Sequence, residues 1–341
     1  MSESDKHVRL FLYSLGHFLV DFSCALLMFS QLSGQREWAL CVLLYNFCAF
    51  ALQMPLGLLA DHANWTVRPA ALGCWLVAFG WLLPLFPPIS AVTMGLGNAC
   101  FHVGGGIQVL RDGGSNAAPL GIFVSPGAFG VYFGTLLGNH PAFPGWLTAF
   151  GLLLFGLIFS LPRLQQDAAP SNHGFPLHFQ NRKLPWTVFL LFLVVVLRSY
   201  LGMVFSFPWK TSGWTMAMIC AVVFGKAAGG FLGDRLGMRS AAILSLGLSA
   251  ALFLLSGWPP AGTASVFFFN MTMPLTLWAA AQLFPQHKGF AFGTLTFALF
   301  LGFLPSWLGW SPLFLSGAGY AAGAVCSLAL LVMGLKLGRL S

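Results

Sequence analysis

GFLGDRLGMR, residues 230–239, is a charged turn set between two long apolar runs, and GLLADHANWTVR, residues 57–68, is its degenerate twin. Each reads Gly-x-Leu-small-Asp, ending on Asp61 or Asp234, and each reaches an Arg within seven residues, at Arg68 and Arg239. The likeness extends outward. LFLYSLGH (10–17) aligns with LFLVVVLR (191–198), which sets His17 opposite Arg198. Gly121 and Gly134 align with Gly289 and Gly302, and Asn98 aligns with Asn270. A repeat of about 170–180 residues predicts two similar halves.

The composition says what kind of halves these are. Hydrophobic residues make up 57% of the chain and charged residues only 7%, with a mean hydropathy of +0.81. Soluble domains carry roughly 25% charged residues, so this chain cannot coat a water-facing surface. Twelve spans are expected, at about 8–31, 38–60, 69–86, 89–110, 119–138, 143–162, 185–207, 214–233, 240–257, 261–283, 289–309 and 312–335. Each is long enough for a hydrocarbon core of about 30 Å. All should be helices, because a backbone in lipid must satisfy its own hydrogen bonds. The expected class is an all-α polytopic membrane protein of two pseudo-symmetric six-helix bundles, 1–162 and 185–341, joined by a polar cytoplasmic linker, 163–184. The first apolar run is interrupted by His17 and Asp21 and shows no small-x-small cleavage site, so it reads as a retained span.

Basic residues give the orientation. With the N-terminus in the cytoplasm, Lys6, Arg9, Arg68, Arg111, Arg163, Arg182, Lys183, Arg235, Arg239, Lys288, Lys336 and Arg339 fall inside, and only Arg36 and Lys210 outside. That asymmetry obeys the positive-inside rule and puts both termini in the cytoplasm, with a cytoplasmic (inner) membrane expected. The net charge of +8 is then a consequence of topology, and no nucleic-acid partner is called for. The seven cysteines lie inside apolar runs, are odd in number and form no Cys-x-x-Cys pair, which gives neither a disulfide framework nor a zinc site. Glycine-rich HVGGG (102–106) and SPGAFGVYFG (125–134) follow no strand, so they are helix-packing segments rather than nucleotide loops. No cofactor, no metal and a monomer are expected.

GFLGDRLGMR resembles the Gly-x-Leu-x-Asp-Arg-x-Gly-x-Arg signature of the major facilitator superfamily, found at the junction of spans 2 and 3 and often repeated at 8 and 9. The first copy keeps Gly57, Leu59, Asp61 and Arg68, but His62 replaces the first Arg, two residues are inserted and the central Gly is missing. A further likeness, to the fosmidomycin-resistance type of exporter, lies in Gly16-His17-x-x-x-Asp21 and in Phe101-His102. The resemblance implies that this junction is a conformational latch, in which the Asp caps a neighbouring helix and pairs with the Arg in one state. Carried over, Asp234, Arg235 and Arg239 form one latch, and Asp61 with Arg68 a degenerate one. Ordinary helix capping and positive-inside charge are the plainer account of the same residues.

Of the eight acidic residues only Asp21 lies deep in a span. A lone carboxylate at mid-membrane costs at least ~3 kcal/mol on insertion scales, so it must face a cavity or a partner. A group there that loads and unloads a proton is the chemistry of a proton carrier, and His17, one helical turn away, can share that proton. Arg198 is the deepest cation of the second half; the resemblance sets spans 1 and 7 across a central cavity, where Arg198 would pair with Asp21 or hold an anionic solute. Asn98 and His102 share a polar face of span 4, and Asn270 is the counterpart on span 10. Helix-to-helix adhesion is the alternative for each of these groups. The expected function is a secondary active transporter of a small solute, proton-coupled through Asp21 and His17, with Arg198, His102, Asn98 and Asn270 in contact with the solute. The alternative is a channel-like or non-transporting protein that keeps the fold. An intramembrane enzyme is disfavoured: a second deep carboxylate, Gly-x-Ser-x-Gly and His-Glu-x-x-His are all absent from the sequence. The substrate class stays open between an organic anion and an amphipathic drug.

Overall fold

The computed structural model describes residues 3–65, 67–140, 143–161, 183–313 and 316–340. Their secondary structure is helical, with no strand among the described residues. In chain order the helices are α1 (Glu3–Leu27), α2 (Trp38–Asn46), α3 (Gln53–His62), α4 (Val67–Gly80), α5 (Pro87–Gly113), α6 (Ala118–Val124), α7 (Pro126–Gly138), α8 (Trp146–Phe159), α9 (Leu184–Val204), α10 (Ser212–Leu236), α11 (Met238–Leu254), α12 (Pro259–Asn270), α13 (Thr272–Leu283), α14 (Lys288–Trp307) and α15 (Gly317–Leu337). The π-helical turn Met28–Leu32 extends α1, and a second, Phe47–Ala51, joins α2 to α3.

Proline explains the interruptions. Its missing N–H and its ring displace the carbonyl four residues earlier. Pro55 does this to Ala51 at the end of the π turn, where Leu52 N–H donates to Phe47 O at 3.2 Å. Pro126 separates α6 from α7, and the Ser125 hydroxyl donates to Gly121 O at 2.6 Å beside the break. Pro274 separates α12 from α13, and the Thr272 hydroxyl donates to Phe269 O at 2.8 Å. Each hydroxyl adds a hydrogen bond to the carbonyl one residue before the one its proline displaces, which helps keep the backbone satisfied next to the break.

Among the described residues, eight helical segments are long and apolar enough to cross a membrane: 3–32, 38–62, 118–138, 184–204, 213–236, 259–283, 288–307 and 317–337. Three shorter apolar helices are α4, α8 and α11. Large apolar side chains such as Phe11, Leu85, Trp186, Leu254 and Trp310 are exposed, a surface suited to lipid. The expected linker lies outside the described residues except for Lys183 and Leu184, as do Arg163 and Arg182 of the charge count.

The chain forms two compact units. One holds residues 1–112, 126–174 and 286–297, and the other holds 113–125, 175–285 and 298–341. Each therefore takes one short stretch from the opposite half of the sequence. In the first unit α7 lies along α1 through Gly127, Gly130, Gly134 and Gly138, all buried. A Cβ at Gly134 would meet the Phe22 carbonyl oxygen and stand 2.8 Å from Ala25 Cβ, so only glycine permits this approach. The Trp81 indole donates to Ser23 Oγ at 2.8 Å, and Ser23 Oγ lies 3.0 Å from Thr148 Oγ1, tying α1 to α8. In the second unit α10 packs on α6 and α12, α11 on α12 and α15, and α15 on α9. An aromatic cluster there joins Phe205, Phe207, Phe253, Phe269 and Tyr320 and continues through Trp209, and Ser206 N–H donates to the Tyr320 hydroxyl at 3.0 Å.

Candidate functional site

The polar residues expected on the first and fourth spans meet in the first unit. The four-residue spacing puts His17 and Asp21 on one face of α1, and Asn98 and His102 on one face of α5. His17 Nε2 lies 3.2 Å from Asp21 Oδ2. His102 Nε2 lies 2.8 Å from His17 Nε2 and 3.8 Å from Asp21 Oδ1. The Asn98 amide donates to Asp21 Oδ1 at 2.8 Å and to the Tyr45 hydroxyl at 3.4 Å. The two imidazoles meet edge to face at 4.3 Å, and Phe101 flanks both rings. Side-chain exposure is 6% for His17, 11% for His102 and 13% for Asp21, so the cluster is buried with its carboxylate side partly open.

The hydrogen-bond pattern assigns the tautomers. His102 Nδ1 lies 2.8 Å from Asn98 O, and a carbonyl oxygen only accepts, so Nδ1 carries the hydrogen. Neutral His102 then presents a lone pair at Nε2, and the contact to His17 Nε2 needs one hydrogen between the two nitrogens. His17 Nε2 supplies it, with the Asp21 carboxylate as its second neighbour. One hydrogen thus lies between the two rings, with the Asp21 carboxylate beside it.

The other expected residues have different surroundings. Arg198, on α9 in the second unit, is 8% exposed, and its Nη1 is buried without a hydrogen-bond partner among the described residues. Asn270, in the same unit, turns its amide onto its own helix and donates to Val266 O at 2.9 Å. The aligned pair Asn98 and Asn270 is therefore unlike in detail. At the repeated junctions both aspartates accept from backbone N–H groups of a helix start. Asp61 takes Gly289 N–H at 3.0 Å and Phe290 N–H at 2.8 Å, at the first turn of α14. Asp234 takes Ala117 N–H at 2.7 Å and Ala118 N–H at 2.8 Å, at the start of α6. A carboxylate there also meets the positive end of the helix dipole.

Sequence reasoning did not bring Tyr45 or the pairing of Arg9 with Asp112 to attention, and it placed Gly127 only within a helix-packing segment. Gly127 borders the site: a Cβ there would meet His17 Nε2 and Asp21 Oδ2. Arg9 Nη2 pairs with Asp112 Oδ1 at 2.6 Å, and the Gln108 amide donates to the same oxygen at 2.9 Å. The four-residue spacing of Gln108 and Asp112 was the available signal.

No family model and no curated protein matches the sequence. Solved structures match the fold along almost the whole chain. A structure of the E. coli fucose:proton symporter aligns with a TM-score of 0.70 at 13% identity, covering 99% of each chain. The human organic anion transporter MFSD10 aligns with a TM-score of 0.71 at 15% identity, covering 99% of this chain and 100% of the other. A bacterial homologue of the iron transporter ferroportin, in an outward-facing state, aligns with a TM-score of 0.58 at 13% identity, covering 97% and 98%. The chain has the fold of the major facilitator transporters.

Proposed function

We propose that this protein is a secondary active transporter that moves a small solute across the membrane by alternating access, with proton coupling through Asp21 and His17. The observation that carries the reading is the buried contact of His17 Nε2 with His102 Nε2, set beside a carboxylate that Asn98 orients. A polar cluster in so apolar a chain is costly unless it is used. The fold supports the transporter class, and one neighbour of that fold is described as a proton symporter.

In this reading twelve spans form two six-helix bundles, 1–162 and 185–341, joined by the 163–184 linker. The protein is a monomer in the cytoplasmic membrane with both termini inside. Arg198, buried and with an Nη1 that has no hydrogen-bond partner among the described residues, binds the anionic part of the solute; His102, Asn98 and Asn270 are the further proposed solute contacts. Asp61 and Asp234, with Arg68, Arg235 and Arg239 near them in sequence, form the latches, and release of the two helix caps accompanies the change of state. The channel-like alternative drew on the degenerate first motif; the cap made by Asp61 speaks against it, since that cap matches the one made by Asp234.

Reconstituted protein should accumulate a solute against its gradient when a pH gradient is imposed, in a screen of organic anions, sugars, amino acids and cationic drugs. Flux that only dissipates gradients for every solute contradicts the transporter reading.

A further inference from the structure

The cluster on α1 and α5 also has the donor set of a metal centre. We infer that His17 Nε2, His102 Nε2 and the Asp21 carboxylate bind a divalent first-row transition-metal ion of the zinc or ferrous class. Their ligand atoms all lie within 4.8 Å of one another. The two Nε2 atoms are 2.8 Å apart, His17 Nε2 is 3.2 Å from Asp21 Oδ2, and His102 Nε2 is 3.8 Å from the other carboxylate oxygen, Oδ1. These bracket the spacing of about 3.3 Å that tetrahedral zinc imposes on nitrogen and oxygen ligands at about 2.0–2.1 Å. The sequence hid the set because its third ligand comes from another helix, 81 positions after Asp21, so no contiguous spacing exists.

The surroundings prepare the ligands. A metal takes the lone pair of a neutral imidazole, and the bond from His102 Nδ1 to Asn98 O holds His102 in the tautomer whose lone pair is on Nε2. Asn98 serves the site twice, because its amide nitrogen orients Asp21 Oδ1 while its backbone carbonyl accepts from His102 Nδ1. Gly127 leaves clear the space beside His17 Nε2 and Asp21 Oδ2 that a Cβ would fill. Two imidazoles and one carboxylate select against magnesium and calcium, which want oxygen alone. Three protein ligands leave a coordination position open, as in exchangeable rather than closed sites. The inference adds a second cationic occupant to the site for which a proton is proposed above. It rests on that site being reachable from solution, and not on the proton being coupled.

The test is Co2+ titration of the purified full-length chain in detergent at neutral pH, with any affinity tag removed, read by visible absorption and checked with Zn2+ calorimetry. One Co2+ per chain is expected. Asn98→Ala should weaken it about 10–100-fold, as loss of an outer-shell partner does. His17→Gln and Asp21→Asn should abolish it. His102→Cys should still bind and add a thiolate-to-cobalt band in the near ultraviolet, which decides the matter even if the other variants do not fold. Wild type without bound Co2+ or Zn2+, binding unchanged in His17→Gln, or a His102→Cys protein that binds cobalt without the thiolate band overturns the site. Proton-driven solute uptake in a protein that binds no metal removes this inference and leaves the transporter reading intact. Metal binding without any transport does the reverse.

Discussion

Gly127→Ala tests the site without removing any group that titrates. The new methyl would stand against His17 Nε2 and Asp21 Oδ2, and only 2.6 Å from His17 Cδ2. Ordinary contact for such pairs begins near 3.4 Å, so overlap approaches an ångström. His17 has little room to retreat: its Nε2 is held by His102 and its ring is flanked by Phe101. Either α7 moves off α1 or the contact between the rings opens. Overpacking costs about 1–3 kcal/mol, and loss of a buried hydrogen bond about 1–3 kcal/mol more. Gly247→Ala and Gly202→Ala are the controls, because a Cβ at either meets nothing within 4 Å. They should gain about 0.5–1 kcal/mol from helix propensity. Denaturant titration in mixed micelles gives the stabilities, and flux in proteoliposomes gives coupling. Gly127→Ala that is as stable as the controls and fully coupled refutes the packing of α7 against the His17–Asp21 face.

Further perturbations address the rest of the account. Arg198→Met removes a buried guanidinium whose Nη1 has no hydrogen-bond partner among the described residues, so it should stabilise the solute-free protein, by about 1–4 kcal/mol, and abolish thermal stabilisation by anions. A destabilised variant that still responds to anions would make Arg198 structural. Asp61→Ala and Asp234→Ala should each cost about 0.5–2 kcal/mol through loss of a helix cap, seen as faster amide exchange at Gly289–Phe290 and at Ala117–Ala118 respectively; unchanged exchange contradicts the caps. Arg9→Met should cost up to about 3–5 kcal/mol, and adding Asp112→Leu should recover part of it, because Arg9 is buried, Asp112 is largely so, and one partner alone is worse than neither. Additive losses in that double-mutant cycle would deny the pairing.

Part of the fold was written in a short motif. The repeated Gly-x-Leu-small-Asp announces the two junctions, whereas the spans expected at 38–60, 119–138 and 261–283 run straight through the interruptions that Pro55, Pro126 and Pro274 mark, and Pro305 lies inside α14 without breaking it. Helix ends were less legible. The span expected at 69–86 is a helix only over Val67–Gly80, because Pro84 and the following prolines end it while the apolar run continues through Leu82, Leu83 and Leu85. Hydropathy records solubility in lipid and not backbone conformation. The four-residue spacing located both polar faces, His17 with Asp21 and Asn98 with His102. That one imidazole edge meets the other depends on the depth and rotation of two packed helices, which no local pattern carries. The partners of Asp61 and Asp234 were hidden for a similar reason: they are backbone N–H groups more than a hundred residues away, and backbone groups leave no mark in composition.

The most direct measurement of the central claim is proton movement in proteoliposomes, reported by an internal pH dye, for wild type and Asp21→Asn with a solute found in the screen. The account predicts solute-driven proton flux in the wild type and its loss in a folded Asp21→Asn protein. Equal flux in the two would contradict the assignment of the proton to the His17–Asp21–His102 cluster.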